Sequence, residues 1–316
     1  MSRAQFVKES APSGEWKRQS NWFTGRITRE STARPGEGPD ERGRWPVETG
    51  RYRLVVSLAC PWAHRSVIVR RLLGLEDAIS LGVVDPIRDD RGWRFTLDPA
   101  GRDPVLGIEF LSDAYRRTDP SYDGRVTVPT IVDTVTGLVV TNDYPQITLD
   151  FSTEWTEFHR PDAPRLIPAD RAELNRLIEE IYQDVNNGVY RCGFATTQET
   201  YESAYDALFE RLDELEERLA DREYLLGDRL TEVDIRLFTT LVRFDAVYHG
   251  HFKCNRNKLT EFPNLWAYAR RLYRLPSFGE TVDFDQIKRH YYLTHDTINP
   301  NGIVAKGPDP RAWMAA

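Results

Sequence analysis

The stretch SLACPWAHRSVIVRRLLG, residues 57–74, holds a cysteine at the join of two patterns. Leu54, Val55 and Val56 form a short strand-like run ahead of it, and Val67, Ile68, Leu72 and Leu73 recur behind it at helical spacing. A cysteine at a helix start has the helix dipole and free backbone N–H groups directed at its sulfur, and both favour thiolate over thiol. Pro61 suits the first helical position, where a missing N–H costs nothing. Ala63 stands where a Cys-x-x-Cys pair would place its second thiol, so Cys60 has no resolving partner there. A free cysteine is most often a small buried hydrophobe. The order strand, Cys-Pro, helix, with Val-Pro-Thr downstream at 128–130, favours a nucleophile instead.

Other reactive residue types give weaker signals. HGHFKC places His249, His251 and Cys254 close together, but a zinc site needs three or four convergent ligands and no second cluster supplies the rest, so no metal is expected. His64, four residues past Cys60, is placed to act on it electrostatically, but is expected rather to face solvent or an interface. Leu208, Leu212, Leu215 and Leu219 read as the core side of a helix, and DELEERLADRE as a solvated helix face. Any single one of the fourteen tyrosines is by default a packing residue.

The elements that must position these residues suggest two domains, which 316 residues can support. Residues 1–50 are polar, with scattered aromatics Trp16, Trp22, Phe23 and Trp45, and read as an extension that packs through those rings. Residues 51–160 have an α/β texture: a strand at 52–59, a helix at 61–73, a strand at 79–84, a long Gly/Asp/Pro-rich insertion at 85–123, then a hairpin across TIVDTVTGLVV. This βαβ–ββα order, with Pro129 before the hairpin, is that of a thioredoxin-like domain. Residues 161–290 are helical, with a helix at 172–185, Thr231 and Asp234 forming a capping box, and Pro263 opening a helix. Residues 291–316 read as a C-terminal coil.

Hydrophobic content of 40% and charge of 29% fit a globular protein, and a net charge of −7 argues against a nucleic-acid partner. No apolar stretch approaches the roughly 20 residues of a membrane-spanning helix, and the first residues lack a signal core. Three widely spaced cysteines do not make a disulfide framework, which leaves a reducing cytoplasm as the expected location.

SLACPWAHR, GWRF, RVTVPTIVD, VNNGVYRCGFATTQETYE, LTEVDIRLF, RFDAVYHGHFKCN and INPNGIVAKGP, in this order, closely resemble the glutathionyl-hydroquinone reductases, the Xi class of glutathione transferases. The resemblance implies the glutathione transferase fold, α/β plus all-α, with an N-terminal thioredoxin-like domain and a C-terminal helical domain, and a homodimer. It implies reduction of S-glutathionyl-hydroquinones to free hydroquinone through a mixed disulfide on Cys60, with glutathione as co-substrate. It makes Tyr190 the proton donor and acceptor, and Tyr248 and Tyr291 the tyrosines that lower the cysteine pKa by hydrogen bonding. Trp93, Arg125, Val126, Thr127 and Val128 match thiol-binding positions, with Pro129 the cis-proline that frees the Val128 backbone to pair with the ligand.

One position departs from the family. Where Glu-Ser usually binds the γ-glutamyl group, this chain has Asp143-Tyr144. Either glutathione binds weakly or another small thiol is used, for example mycothiol, whose sugar Asp143 would bond and Tyr144 would stack on. Two other functions compete: a conjugating glutathione transferase, which Cys60 disfavours, and a non-catalytic interaction module, which has no need of Cys60 with three matched tyrosines.

Overall fold

The computed structural model describes residues 9, 11–34 and 36–315. They divide into two compact units, one of residues 19–164 and one of residues 165–315 together with the segment ending at Arg18.

The first unit begins with two short parallel strands, β1 (Arg26–Thr28) and β2 (Arg44–Pro46). β3 (Tyr52–Val56) follows, buried at every residue, then α1 (Pro61–Leu73), β4 (Ile79–Val83), α2 (Leu111–Thr118), β5 (Thr130–Asp133), β6 (Val139–Thr141) and α3 (Tyr144–Thr153). The sheet order is β4-β3-β5-β6, with β3 parallel to β4 and antiparallel to β5. A strand buried on both faces reads as a continuous apolar run rather than an alternation, and the one charge in its interior, Arg53, is paired with buried Asp103 at 2.7 Å. α1 ends where the sequence places it, at Gly74, whose φ of 75° is left-handed. The insertion after β4 is not all loop. Leu111, Ala114 and Tyr115 at helical spacing bury one face of α2, a pattern too short to stand out among the Asp and Gly around it.

The segment ahead of β3 is integrated into this unit. Phe23 and Asn142 exchange hydrogen bonds at 2.9 Å, and Thr24 bridges Thr141 in antiparallel fashion, so this stretch covers the free edge of β6. Ile27 and Trp45 are buried, whereas Trp22 is 61% exposed and donates to Asp119.

The second unit is helical: α4 (Ala172–Ile181), α5 (Gly188–Phe194), α6 (Gln198–Arg218), α7 (Glu232–Arg243), α8 (Pro263–Tyr273), the short α9 (Pro276–Gly279) and α10 (Phe284–Thr294). Leu208, Leu212, Leu215 and Leu219 are buried as the stripe predicts. Asp234 accepts from the backbone N–H of Thr231 (2.8 Å) and Leu225 (2.9 Å) and from the Tyr268 hydroxyl (2.9 Å), so it caps α7 and ties α8 to it. α10 runs past the expected boundary at 290 into the stretch read as coil, because Ile287, His290, Tyr291 and Thr294 continue one buried face. Tyr291 is thus a helix residue. No helix among the described residues is long and apolar enough to cross a membrane.

Candidate active site

Cys60 is the residue immediately ahead of α1, with extended backbone and Pro61 as the first helical residue. Its carbonyl accepts from His64 N–H at 3.0 Å, closing the first turn, and its own N–H donates to Ser57 O at 3.0 Å. The side chain is half-buried, and its thiol donates to the Val128 carbonyl, with sulfur and oxygen 3.4 Å apart. His64, expected at the surface, is 1% exposed, because the whole of α1 around it is buried.

Of the other residues expected to hold a thiol, Arg125, Val126, Thr127 and Val128 lie on the loop before β5 and Asp143 and Tyr144 at the start of α3, whereas Trp93 lies between β4 and α2. Val126 and Val128 are buried, and the Val128–Pro129 peptide is cis. Thr127 O accepts from the hydroxyls of Tyr115 (3.0 Å) and Thr130 (2.7 Å), and Thr127 Oγ1 accepts from Asn142 Nδ2 (3.0 Å). Arg125 is gripped through its backbone: its N–H donates to Gln19 Oε1 at 2.8 Å and its carbonyl accepts from Gln19 Nε2 at 3.1 Å. Trp93 is 3% exposed, with the Arg88 guanidinium over its ring. Asp143 is the residue before α3 and accepts from Asn21 Nδ2 at 2.9 Å; burial pushes its carboxyl above the usual range. Tyr144 packs on Trp62 with ring centroids 4.8 Å apart and is 7% exposed. Most of its ring is core, not a face presented to a sugar.

In the second unit the three matched tyrosines meet. The Tyr291 hydroxyl shares a hydrogen bond with Tyr190 at 2.6 Å and another with Tyr248 at 2.8 Å. Each comes from a different element: Tyr190 from α5, Tyr291 from α10, and Tyr248 from a π-helical turn, Phe244–Tyr248, that closes α7. A second π turn, Tyr182–Asn186, precedes α5. Such turns insert one residue into the helical ladder and rotate everything after it, and they are frequent where a side chain must be aimed. Burial drives the phenols of Tyr248 and Tyr291 well above their ordinary pKa, whereas Tyr190 is part-exposed. The cluster can therefore pass a proton along three hydroxyls and release it at the open one.

Residues 59–153 match the family model of the glutathione S-transferase N-terminal domain, and residues 198–271 that of its C-terminal domain. The glutathionyl-hydroquinone reductase YqjG of Escherichia coli (strain K12) is 42% identical over 297 residues, 93% of this chain and 89% of the relative. The chain belongs to the glutathionyl-hydroquinone reductases, the Xi-class glutathione transferases. A glutathione transferase structure from Gordonia bronchialis is 59% identical with a TM-score of 0.87, covering 92% of this chain and 88% of that one. A Xi-class structure from Natrialba magadii is 46% identical with a TM-score of 0.85, covering 93% and 87%. The glutathione-bound structure of YqjG has a TM-score of 0.82 and covers 94% of each chain.

Sequence reasoning missed three residues that support this Xi-class site. Gln19 and Asn21 hold Arg125 and Asp143, and Arg18 contacts Tyr190. All three lie in a polar stretch without periodicity, where only Trp16, which stacks on Tyr190, was marked as a packing ring.

His251 of HGHFKC shares a 3.1 Å hydrogen bond with His295 and stacks on Phe252, and no group of three or more His, Cys, Asp or Glu that could hold a metal occurs among the described residues. Burial, then the charge of Lys253, lower the His251 pKa from 6.5 to about 4. Since unfolding frees the imidazole to take a proton, the Xi-class protein is expected to lose about 3 kcal/mol of stability as pH falls from about 6.5 to about 4. Urea unfolding across that range, in the native protein and in His251→Gln, checks this. Glutamine keeps a hydrogen-bonding group but does not titrate, so the variant should show a flatter slope; equal slopes would assign the effect elsewhere.

Proposed function

We propose that the protein is a thiol-dependent reductase that converts S-glutathionyl-hydroquinones to hydroquinones, with Cys60 as nucleophile and Tyr190 as acid. The observation that carries this reading is the half-buried Cys60 thiol at the head of α1 and 3.4 Å from Val128 O, with the other two cysteines in the other unit. Cys60 gives up its proton and its sulfur attacks the thioether sulfur. The sulfur–sulfur bond forms, the bond from sulfur to the aromatic carbon breaks with its electron pair on carbon, and that carbon takes a proton from Tyr190. The ring leaves reduced, and Cys60 is left oxidised as a mixed disulfide. A second thiol from solution attacks that disulfide, leaves as oxidised thiol, and returns Cys60. Tyr190, the part-exposed phenol held by Tyr291, and the returning Cys60 thiolate regain their protons from solvent, which has taken up those given up by Cys60 and by the second thiol. We take the protein to work as a cytoplasmic homodimer without a metal.

Chromatography of a reaction with glutathione and a synthetic glutathionyl-hydroquinone tests the chemistry. One hydroquinone should appear per oxidised glutathione. Conjugation of an electrophilic aromatic with no hydroquinone release would mean a conjugating transferase instead.

Glutathione is the first thiol of this reading, on the strength of the family. Asp143 and Tyr144 set its affinity: a shorter carboxylate already engaged by Asn21, and a buried ring where relatives carry a small hydroxyl. Glutathione is expected to bind roughly ten- to a hundredfold more weakly than to relatives with Glu-Ser, the loss of about one charge-assisted hydrogen bond. Calorimetry of the native protein and of Asp143→Glu, Tyr144→Ser checks this, with an unfolding curve for the variant because Tyr144 packs on Trp62. No gain in glutathione affinity by the folded variant would discard the pocket argument. Mycothiol in a parallel titration decides whether a sugar-based thiol is preferred.

A further inference from the structure

The segment ending at Arg18 lies across α5. Gly14 O accepts from Thr196 N–H at 3.1 Å and from the hydroxyls of Thr196 (3.3 Å) and Thr200 (3.4 Å). Gly14 has a φ of +89°, and a Cβ there would fall 2.7 Å from Thr197 Cγ2, so the backbone approaches as closely as a glycine allows. From this anchor Trp16, 6% exposed, stacks on the Tyr190 ring with centroids 5.5 Å apart. The Arg18 guanidinium carbon stands 5.4 Å from the Tyr190 ring centroid and 4.9 Å from that of Trp16. Arg18 Nε donates to Asn187 Oδ1 at 3.1 Å, three residues before Tyr190 on the same helical run. Tyr190 therefore meets a hydroxyl at its oxygen and a cation at its face.

We propose that Arg18 is a positioning residue for Tyr190: its charge, held over the ring by Trp16 and Asn187, stabilises the phenolate that Tyr190 becomes on protonating the leaving ring carbon. This rests on the role given to Tyr190 above. A phenolate on a part-buried ring in an aromatic cluster is only partly hydrated, and the two inner phenols of the chain are poor places for the charge, since burial disfavours their ionisation. A cation over a ring face offsets part of that cost. Among the other ionisable groups near the cluster, the buried Arg243 of α7 favours ionisation of the inner phenols, Tyr248 and Tyr291, and donates to Thr239 O at 2.8 Å. Asp184, on the turn before α5, is engaged with Arg211 at 3.2 Å and Arg191 at 3.8 Å. His251 and His295 stack on Phe252, and Cys192 and Cys254 are buried thiols. The polar stretch that precedes the first unit in sequence thus completes the acid of the second.

Steady-state kinetics against pH in Arg18→Gln and Arg18→Lys, with Tyr190→Phe as reference, test this. A general acid fails once it has lost its proton, so turnover has an alkaline limb set by Tyr190. Removing the cation disfavours the phenolate: Arg18→Gln should lower kcat roughly tenfold, leave KM nearly unchanged, and move the alkaline limb to higher pH. Arg18→Lys should recover most of both. The phenolate ultraviolet band, taken as the difference from Tyr190→Phe, should move to higher pH in the free Arg18→Gln protein, independently of turnover. An unmoved limb and band in Arg18→Gln overturn the inference, even with kcat reduced, because a purely structural strap would lower activity without changing the ionisation. The two failures are distinguishable: an inactive Tyr190→Phe with a silent Arg18→Gln removes only Arg18, whereas a fully active Tyr190→Phe removes the acid assignment itself.

Discussion

Cys60→Ala is expected to lower hydroquinone release by roughly a thousandfold or more, the scale seen when a covalent nucleophile is deleted. The fold should be untouched: the side chain is half-buried, makes no cap hydrogen bond to α1, and loses one weak contact to Val128 O. Mass spectrometry gives the second readout. Treated with a glutathionyl-hydroquinone and no further thiol, the native protein should gain one glutathione and Cys60→Ala none. Cys192 and Cys254 are 3% and 0% exposed, and burial raises the Cys254 thiol well above its ordinary pKa, so neither is a ready acceptor. An adduct that persists on Cys60→Ala, or turnover that survives it, would transfer the chemistry to another residue.

Tyr190→Phe should cost on the order of a hundredfold in kcat with thiol affinity little changed. The substitution keeps the ring stacked on Trp16 and Phe194 and removes only the hydroxyl at the open end of the three-phenol chain. It also leaves the Tyr291 hydroxyl with Tyr248 as its remaining phenol partner. A drop in KM-type binding with intact kcat would mean that Tyr190 grips the substrate and another group protonates it. The parallel variants Tyr291→Phe and Tyr248→Phe rank the chain: loss should diminish with distance from the open phenol.

The first unit was readable because its signals are local. A strand buried on both faces, a Cys-Pro helix start and a Val-Pro-Thr loop each announce themselves within a few residues. α2 escaped because its apolar face is three residues among acidic and small ones. The phenol cluster was reachable only through likeness to a family, since Tyr190, Tyr248 and Tyr291 are distant in sequence and two of them owe their aim to π turns that no periodicity reveals. The burial of His64 and Tyr144 was likewise out of reach, because a polar residue at the core leaves the same mark in sequence as one at the surface.

The division of the segment at 18–19 has a consequence for synthesis. The helical unit is made in two instalments: Trp16 and Arg18 leave the ribosome early, and their partners Asn187, Tyr190 and Thr196 follow 169 to 182 residues behind Arg18 and Gly14. The first unit, contiguous from 19 to 164, can complete itself meanwhile, as leading domains do. Its completion leaves the opening peptide waiting as a loose end for a helix not yet translated. Closing that loop must await the synthesis of Asn187 to Thr200, so the contacts that equip Tyr190 form after the first unit has been made.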